Sequence, residues 1–186
     1  QVVAGGIEMF SRPPMFADKP SPFMDIKLAT KMGMFTMGSG ADLVASQYNV
    51  SRQDADNVAL LSHQRAAHAT TNGYFKSIVP IYNPVKDITF KDDELIRQST
   101  AQGLAQMKPS FAKIGEQGVD ALYLKKFPEL TQIEHVHTPA NSPSMADGAA
   151  LSLIGSLDAK EQLGVAPRAR IRSMCNTNAD IHTVIT

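Results

Sequence analysis

The sequence predicts a mixed α/β fold, and three observations carry that prediction. Short apolar runs edged by glycine, Val2-Val3-Ala4 and Leu151–Ile154, read as strands. One stretch, Ser51–Asn72, has helical spacing with its own start and stop signals. Between these lie long proline-rich and charged excursions, so strands and helices alternate instead of segregating.

Taken in order, residues 1–6 are expected to form a short buried strand ending in a turn at Gly5-Gly6, where glycine lets the backbone turn or approach closely. Pro13, Pro14, Pro20 and Pro22 make residues 11–24 irregular, because proline fixes φ and removes a donor. Met9, Phe10, Met15, Phe16, Phe23 and Met24 lie in or beside that stretch. Apolar loop residues need a surface to lie on, so a packed cover is expected there. Residues 41–48 read as a short helix broken at Asn49-Val50. Ser51 then caps a long helix with Asp54 in its first turn, and Asn72-Gly73 closes it. Ala55, Val58, Ala59, Ser62, Ala66 and Ala69 give that helix a narrow small-residue face, a candidate contact surface. Lys76–Tyr82 is expected as a strand, held to an edge or bulge by Pro80. A charged stretch, 84–98, precedes a helix over 99–107 that Lys108-Pro109 ends. Residues 112–138 are poorly patterned, with a short helix over Asp120–Phe127. Leu151–Ile154 is expected as a buried strand, and Leu157–Leu163 as a helix capped by Ser156 and closed by Gly164. Ala169–Met174 reads as a last strand.

Composition narrows the function. The chain has 186 residues, with 18 Lys plus Arg balancing 18 Asp plus Glu. Zero formal charge speaks against a general nucleic-acid binder and against polybasic attraction to membranes. Apolar residues at 43% and charged residues at 19% allow a buried core. No run approaches the roughly 18 apolar residues of a spanning helix, so no membrane span is expected. Cys175 has no second cysteine to pair with, which fits a reducing compartment such as the cytoplasm or an organelle matrix.

Few residues announce chemistry. His63 and His68 are five apart and do not share a helix face, which disfavours a metal pair. His135 and His137 would share one strand face, but no third ligand stands at a suitable spacing, so they read as polar residues of a loop or edge. Cys175 reads as a small buried apolar residue with no neighbouring base to make a thiolate. Met37-Gly38-Ser39-Gly40 lacks the spacing and lysine of a phosphate-cradling loop and reads as a plain turn. Asp92-Asp93-Glu94 reads as a solvated charge run. Arg97 carries a planar guanidinium able to stack on a base or grip a phosphate, and equally able to sit in a surface ion pair. No metal and no permanently bound cofactor are expected.

Four stretches in series nevertheless resemble the thiolases, the acetyl-CoA acetyltransferases and 3-ketoacyl-CoA thiolases. The first is Val3-Ala4-Gly5-Gly6-Ile7-Glu8-Met9-Phe10-Ser11. The second runs from Met37-Gly38 through Ser51-Arg52-Gln53-Asp54-Ala55-Asp56 to Ser62-His63-Gln64-Arg65-Ala66. The third runs from Arg97 to Lys108-Pro109-Ser110-Phe111. The last joins Asn141-Ser142, Asp147-Gly148-Ala149-Ala150, Leu163-Gly164 and Pro167-Arg168-Ala169-Arg170-Ile171. The resemblance implies a layered αβαβα fold built from two similar halves. Residues 1–12 would end the first half, 13–138 would form the loop domain over coenzyme A with an insertion, and 139–186 would return to the core and open the second half. It also implies acyl-CoA substrates and a homodimer or homotetramer.

By the same resemblance the reactive cysteine lies upstream of Gln1, and the histidine and second cysteine lie downstream of the Ala169-Arg170-Ile171 stretch. No catalytic residue is therefore assigned within this chain. Its share is grip on coenzyme A: Arg97 toward the adenine-ribose end, Gly103, Met107 and Phe111 along nucleotide and pantetheine, Met37 at the acyl pocket, and Asn141 and Ser142 beside the pantetheine. Departures from the pattern are Pro143 where a small polar residue is usual, Thr36 where a larger ring is common, and the longer Leu122–His137 stretch. Two readings follow: an acyltransferase, of which this chain is part, and a thiolase-like module that binds coenzyme A without chemistry.

Overall fold

In chain order the elements are β1 (Val2–Glu8), α1 (Ser21–Met24), α2 (Ile26–Met32), α3 (Met37–Gln47), α4 (Arg52–Thr71), β2 (Ile81–Asn83) and β3 (Ile88–Phe90). There follow α5 (Ala101–Ala105), α6 (Ala112–Ile114), a π turn (Gly115–Val119), α7 (Asp120–Lys126), β4 (Gly148–Ile154), α8 (Ala159–Leu163) and a 3-10 turn (Ile181–Thr183). The computed structural model describes residues 1–183. They form two units: Gln1–Met32 with Met145–Asp180, and Gly33–Ser144 with the segment from Ile181.

The first unit is organised by an antiparallel ribbon of β1 and β4, in register from Val2 opposite Ile154 to Glu8 opposite Gly148. Gly5 and Gly6 lie inside this ribbon, opposite Leu151 and Ala150, and form no turn. A side chain on Gly5 would collide with the Ala150 carbonyl, so glycine here serves the close approach of two strands. Both strands were expected to be buried; both are exposed, Ile7 at 72% and Leu151 at 80%. Their composition suits strands covered on both faces, and no layer covers them among the described residues. At the ribbon's end the Ser11 amide donates to Asp147 Oδ1 at 2.8 Å and the Ser11 hydroxyl donates to Asp147 Oδ2. Those bonds hold the Asp147 carboxyl below the ordinary range.

The proline-rich stretch was expected to be irregular but contains two short helices. Proline is tolerated where the first-turn N–H has no partner, and Pro22 stands in that turn of α1. Asp25 Oδ1 accepts from the amides of Lys27 and Leu28 and so starts α2. Near the other end, α8 closes at Gly164 with φ +64, as glycine there predicts, but Asp158 precedes it in place of Ser156. Ala169–Met174 forms no strand, having no paired neighbour among the described residues. Cys175, expected to be buried, is exposed.

In the second unit the Gly-rich Met37–Gly40 is no turn but the start of α3, capped by the Thr36 hydroxyl, which accepts from the Ser39 amide. Ser51 and Asp54 make a reciprocal capping box at the head of α4, and Gly73 with φ +65 follows its end. The small-residue face of α4 is partly covered: Val58 is 70% exposed, whereas Ala55, Ala59, Ala66 and Ala69 are half-buried. The expected strand at Lys76–Tyr82 begins only at Ile81, after Pro80, and its partner β3 lies in the stretch read as charged loop. The Asn83 side chain shapes the hairpin by accepting from the amides of Val85 and Lys86.

Residues 112–138, which show little pattern in sequence, supply much of this unit's core. Val119, Tyr123 and Ile133 pack with Phe35 and Leu43. The Phe35 and Tyr123 rings meet edge to face at 5.6 Å. A kink at Gly118, φ +119, lies inside the π turn just before α7, which explains why no single helical period runs through the stretch. Gly38 brings Phe111 against α3, since a methyl on Gly38 would fall within the Phe111 ring. Gly38→Ala should therefore cost about 1–3 kcal/mol by overpacking. Thermal melts of Gly38→Ala and of Gly38→Ala with Phe111→Leu check this, the second recovering part of the loss because the smaller side chain yields the space.

Candidate functional site

Asp42 sits on α3 with no exposed surface, so its charge must be answered inside the protein. The answer comes from the segment before Asn141. The amides of Val136 and His137 donate to Asp42 Oδ1 at 3.1 and 3.2 Å. His137 Nδ1 lies 2.7 Å from the same oxygen, and His135 Nδ1 lies 2.8 Å from Oδ2. The far side of His135, Nε2, lies 3.0 Å from Asp120 Oδ2 on α7. Burial works against charge on this ring, but the hydrogen bonds and charges of Asp42 and Asp120 outweigh it and raise the His135 pKa above the ordinary histidine value. Beside them the Tyr123 hydroxyl is pushed up to about 12 by burial and by the charges of Asp120 and Asp42.

A second polar cluster continues from the same segment to α4. Asp56, nearly buried, accepts from Arg52 Nε at 2.9 Å and from Asn141 Nδ2 at 2.8 Å. Arg52 Nη2 also donates to the carbonyls of Leu104 and Met107, at 2.6 and 2.9 Å, and so holds the end of α5 against α4. Asn141 Nδ2 donates again to the Val136 carbonyl, and its Oδ1 accepts from the Thr138 amide at 2.7 Å. The Ser110 amide donates to the His137 carbonyl at 2.8 Å, tying in the residues before Phe111.

Of the seven residues assigned to coenzyme A, this frame directly fixes the backbone at Met107 and the side chain of Asn141, and its Ser110 bond lies next to Phe111. Phe111 rests on Gly38, the residue after Met37. Met37 and Met107 are exposed, at 67% and 41%. Gly103 lies in α5, its amide donating to the capping Thr100 hydroxyl. The Arg97 amide donates to His63 Nδ1 on α4 at 3.3 Å, while its guanidinium makes no ion pair or hydrogen bond among the described residues. Ser142 is half-buried. The Asn141 side chain has both donors and its acceptor engaged within the protein, and its main-chain amide donates to Thr138 Oγ1, which leaves its carbonyl for any further contact. None of the seven lines the small cleft among Thr70, Gly73, Phe75, Ile78, Lys91, Asp92 and Asp93, or the open one along Gly6–Glu8 and Ala146–Ala150.

Asp42, Arg52, Asp56, Asp120, His135 and His137 are the residues that sequence reasoning passed over as site-builders. The two histidines do share a face, as their spacing predicts, but the carboxylate they share lies 93 and 95 residues away in sequence. Among the described residues no group of three or more His, Cys, Asp or Glu is arranged to hold a metal ion. Asp42→Asn should cost about 3–5 kcal/mol, because it strips the buried partner from two imidazoles. Asp120→Asn should cost clearly less, since Asp120 is 26% exposed and its loss leaves a partly hydrated ring nitrogen. Denaturant unfolding of the two variants checks the order.

A model of the thiolase N-terminal domain matches residues 1–122. The 3-ketoacyl-CoA thiolase of Bacillus subtilis is 31% identical over 184 residues, covering 92% of this chain and 42% of that protein. Its counterpart in Cronobacter sakazakii is 33% identical over 184 residues, covering 96% and 42%. Among solved structures, an acetyl-CoA acetyltransferase from Syntrophomonas wolfei matches with a TM-score of 0.62 at 24% identity, over 89% of this chain and 40% of that one. The dimeric peroxisomal thiolase of Saccharomyces cerevisiae matches with a TM-score of 0.62 at 25% identity, over 87% and 38%. The chain thus spans about two fifths of the length of these relatives. With more than half of its residues matched by that domain, it belongs to the thiolase family and carries part of the family's mixed α/β fold.

Proposed function

We propose that the protein holding this chain is an acyl-CoA acyltransferase of the thiolase type, cleaving a 3-ketoacyl-CoA with free coenzyme A or running the reverse condensation. The observation that carries this is the family match over residues 1–122 together with two relatives that are 3-ketoacyl-CoA thiolases. In such a reaction a cysteine thiolate attacks the ketone carbon. The carbon–carbon bond breaks, the acyl group stays on sulfur, and the departing carbanion takes a proton from a second acid. The thiol of coenzyme A then receives the acyl group.

Within this reading the chain supplies grip and not chemistry. Residues 13–138 form the loop domain over the ligand, flanked by 1–12 and 139–186. Arg97 offers a cation uncommitted among the described residues to the adenine-ribose end. Gly103, Met107 and Phe111 lie along nucleotide and pantetheine, Met37 borders the acyl chain, and Asn141 and Ser142 flank the pantetheine. Exposed thioethers at Met37 and Met107 suit an apolar, flexible ligand. No permanent cofactor, no nucleic acid and no membrane span enter the reading; no helix among the described residues is long and apolar enough to cross a membrane. A cytoplasmic homodimer or homotetramer completes it.

A second reading, coenzyme A binding without cleavage, is favoured by Pro143, which has no amide to donate, and by the engaged side chain of Asn141. Coenzyme A-dependent cleavage of a 3-ketoacyl-CoA by the full-length protein separates the two: turnover supports the transferase, and binding without turnover supports the module. Arg97→Ala should raise the dissociation constant for coenzyme A by about tenfold or more while leaving the melting temperature unchanged, since the lost contact is charge-assisted and exposed. Calorimetric titration reads the first and a thermal melt the second; an unaltered dissociation constant removes Arg97 from the site.

A further inference from the structure

His135 is held at both ring nitrogens by carboxylates, Asp42 at 2.8 Å and Asp120 at 3.0 Å. A neutral imidazole has one N–H and can donate to one of them only; its other nitrogen would present a lone pair to an anion. Two hydrogen bonds therefore need the imidazolium. The cation also separates two carboxylates that would otherwise repel across the ring's width. Around it stand Asp42 from α3, Asp120 and Tyr123 from α7, and Glu134 and His137 from its own segment, with Asp56 and Arg52 of α4 at the segment's far end through Asn141. Tyr123, with its pKa at about 12, stays neutral throughout the range in which His135 titrates.

What His135 holds is the segment that passes the proposed ligand residues. Its neighbour Val136 accepts from Asn141, and the His137 carbonyl accepts from the Ser110 amide. We propose that protonated His135 is a latch, bridging Asp42 and Asp120 so that residues 135–142 keep the course that serves coenzyme A, and that loss of its proton lowers the affinity of that site. The effect on the ligand rests on the function proposed above; the latch itself does not. The Asp120 arm gives way first, because Asp120 is 26% exposed and turns to water, whereas Asp42 is enclosed and keeps the Nδ1 proton.

The sign follows from the raised pKa. The latch is closed around the ordinary histidine value of about 6.5, where the ring is protonated and its carboxylate partners are ionised, and opens as pH rises through the higher value of the folded protein. In the full-length protein, nitrogen-15 spectra of the imidazoles should show His135 doubly protonated above the pH at which an ordinary histidine titrates. The dissociation constant for coenzyme A should rise about fivefold or more across that same window. In His135→Gln the step should vanish, and in Asp120→Asn it should move to lower pH; ionisations of coenzyme A itself are common to all three proteins and cancel. Should His135→Gln fail to fold, Asp120→Asn carries the comparison.

A His135 that titrates at or below the ordinary value overturns the latch. So does a raised titration with a flat affinity, although coenzyme A binding then survives. If coenzyme A binds at no pH, the proposed function falls. Protection of the Val136 and His137 amides, measured relative to their intrinsic base-catalysed exchange, then decides the latch by itself: protection that falls through the His135 titration upholds it, and protection indifferent to that titration overturns it.

Discussion

The second unit depends on one enclosed anion. Removing a carboxylate from water costs several kcal/mol unless donors replace its hydration. Asp42 finds two amides and two imidazoles, all from a segment 93 to 95 residues further along. No donor from its own helix is needed, so the bonds do more than satisfy a charge. They decide where a long, otherwise weakly patterned stretch must return. Once Val136 and His137 lie against α3, the Asn141 side chain falls within reach of Asp56, and Arg52 completes the path to the end of α5. Apolar packing by Phe35, Leu43, Val119, Tyr123 and Ile133 supplies the burial that makes the anion's enclosure possible. The two effects support each other: the core excludes water from Asp42, and Asp42 fixes the register of the strand-like segment beside Ile133.

The first unit has the opposite character. Its ribbon displays Val3, Ile7, Leu151 and Leu153 on one face and Val2 and Ile154 on the other, with β1 and β4 exposed along their length. A two-stranded ribbon is marginal by itself, and apolar residues on both faces suit an interior pair in a larger sheet. The relatives, of whose length this chain spans about two fifths, are large enough to complete such a sheet. The Ser11–Asp147 bracket is the ribbon's own contribution: it pins the chain where β1 ends and β4 is about to begin, and so sets the register that the seven residue pairs follow.

How much of this was legible in the sequence varied by kind of signal. Local chemistry read well. The Ser51–Asp54 cap, the Asn72-Gly73 stop, the helix at Asp120 and the glycine after α8 all come from side chains acting on backbone a few residues away. Tertiary demands read poorly. Gly5-Gly6 looked like a turn because glycine permits one, but its use is to let β4 approach, which only the partner strand reveals. The Met37–Gly40 run looked like a turn for the same reason, and Thr36 outside it makes the helix. Ala169–Met174 has strand-like alternation, yet a strand is a property of two segments, and one segment cannot declare its partner. The family resemblance was legible because its four motifs hold their order along the chain, whereas His135 and His137 became meaningful only once Asp42 was found between them.

The polar bookkeeping of the last segment bears on recognition. Thr138 Oγ1 accepts from the Ala140 and Asn141 amides, and the Asn141 amide group is engaged at every position. Buried polar groups held in this way are rigid, because releasing any one leaves another unpaired. A turn so built cannot adapt its interior to a ligand. Under the proposed function, recognition would fall to the groups that the turn leaves over, namely the Asn141 carbonyl and the hydroxyls of Ser142 and Ser144. Pro143 fits this arrangement. It gives up an amide that the internal bonds around Thr138 do not use, and its fixed φ stiffens the exit between two serines. Proline at this place therefore trades one possible donor for preorganisation, which would lower the entropy lost in binding the ligand of the proposed function.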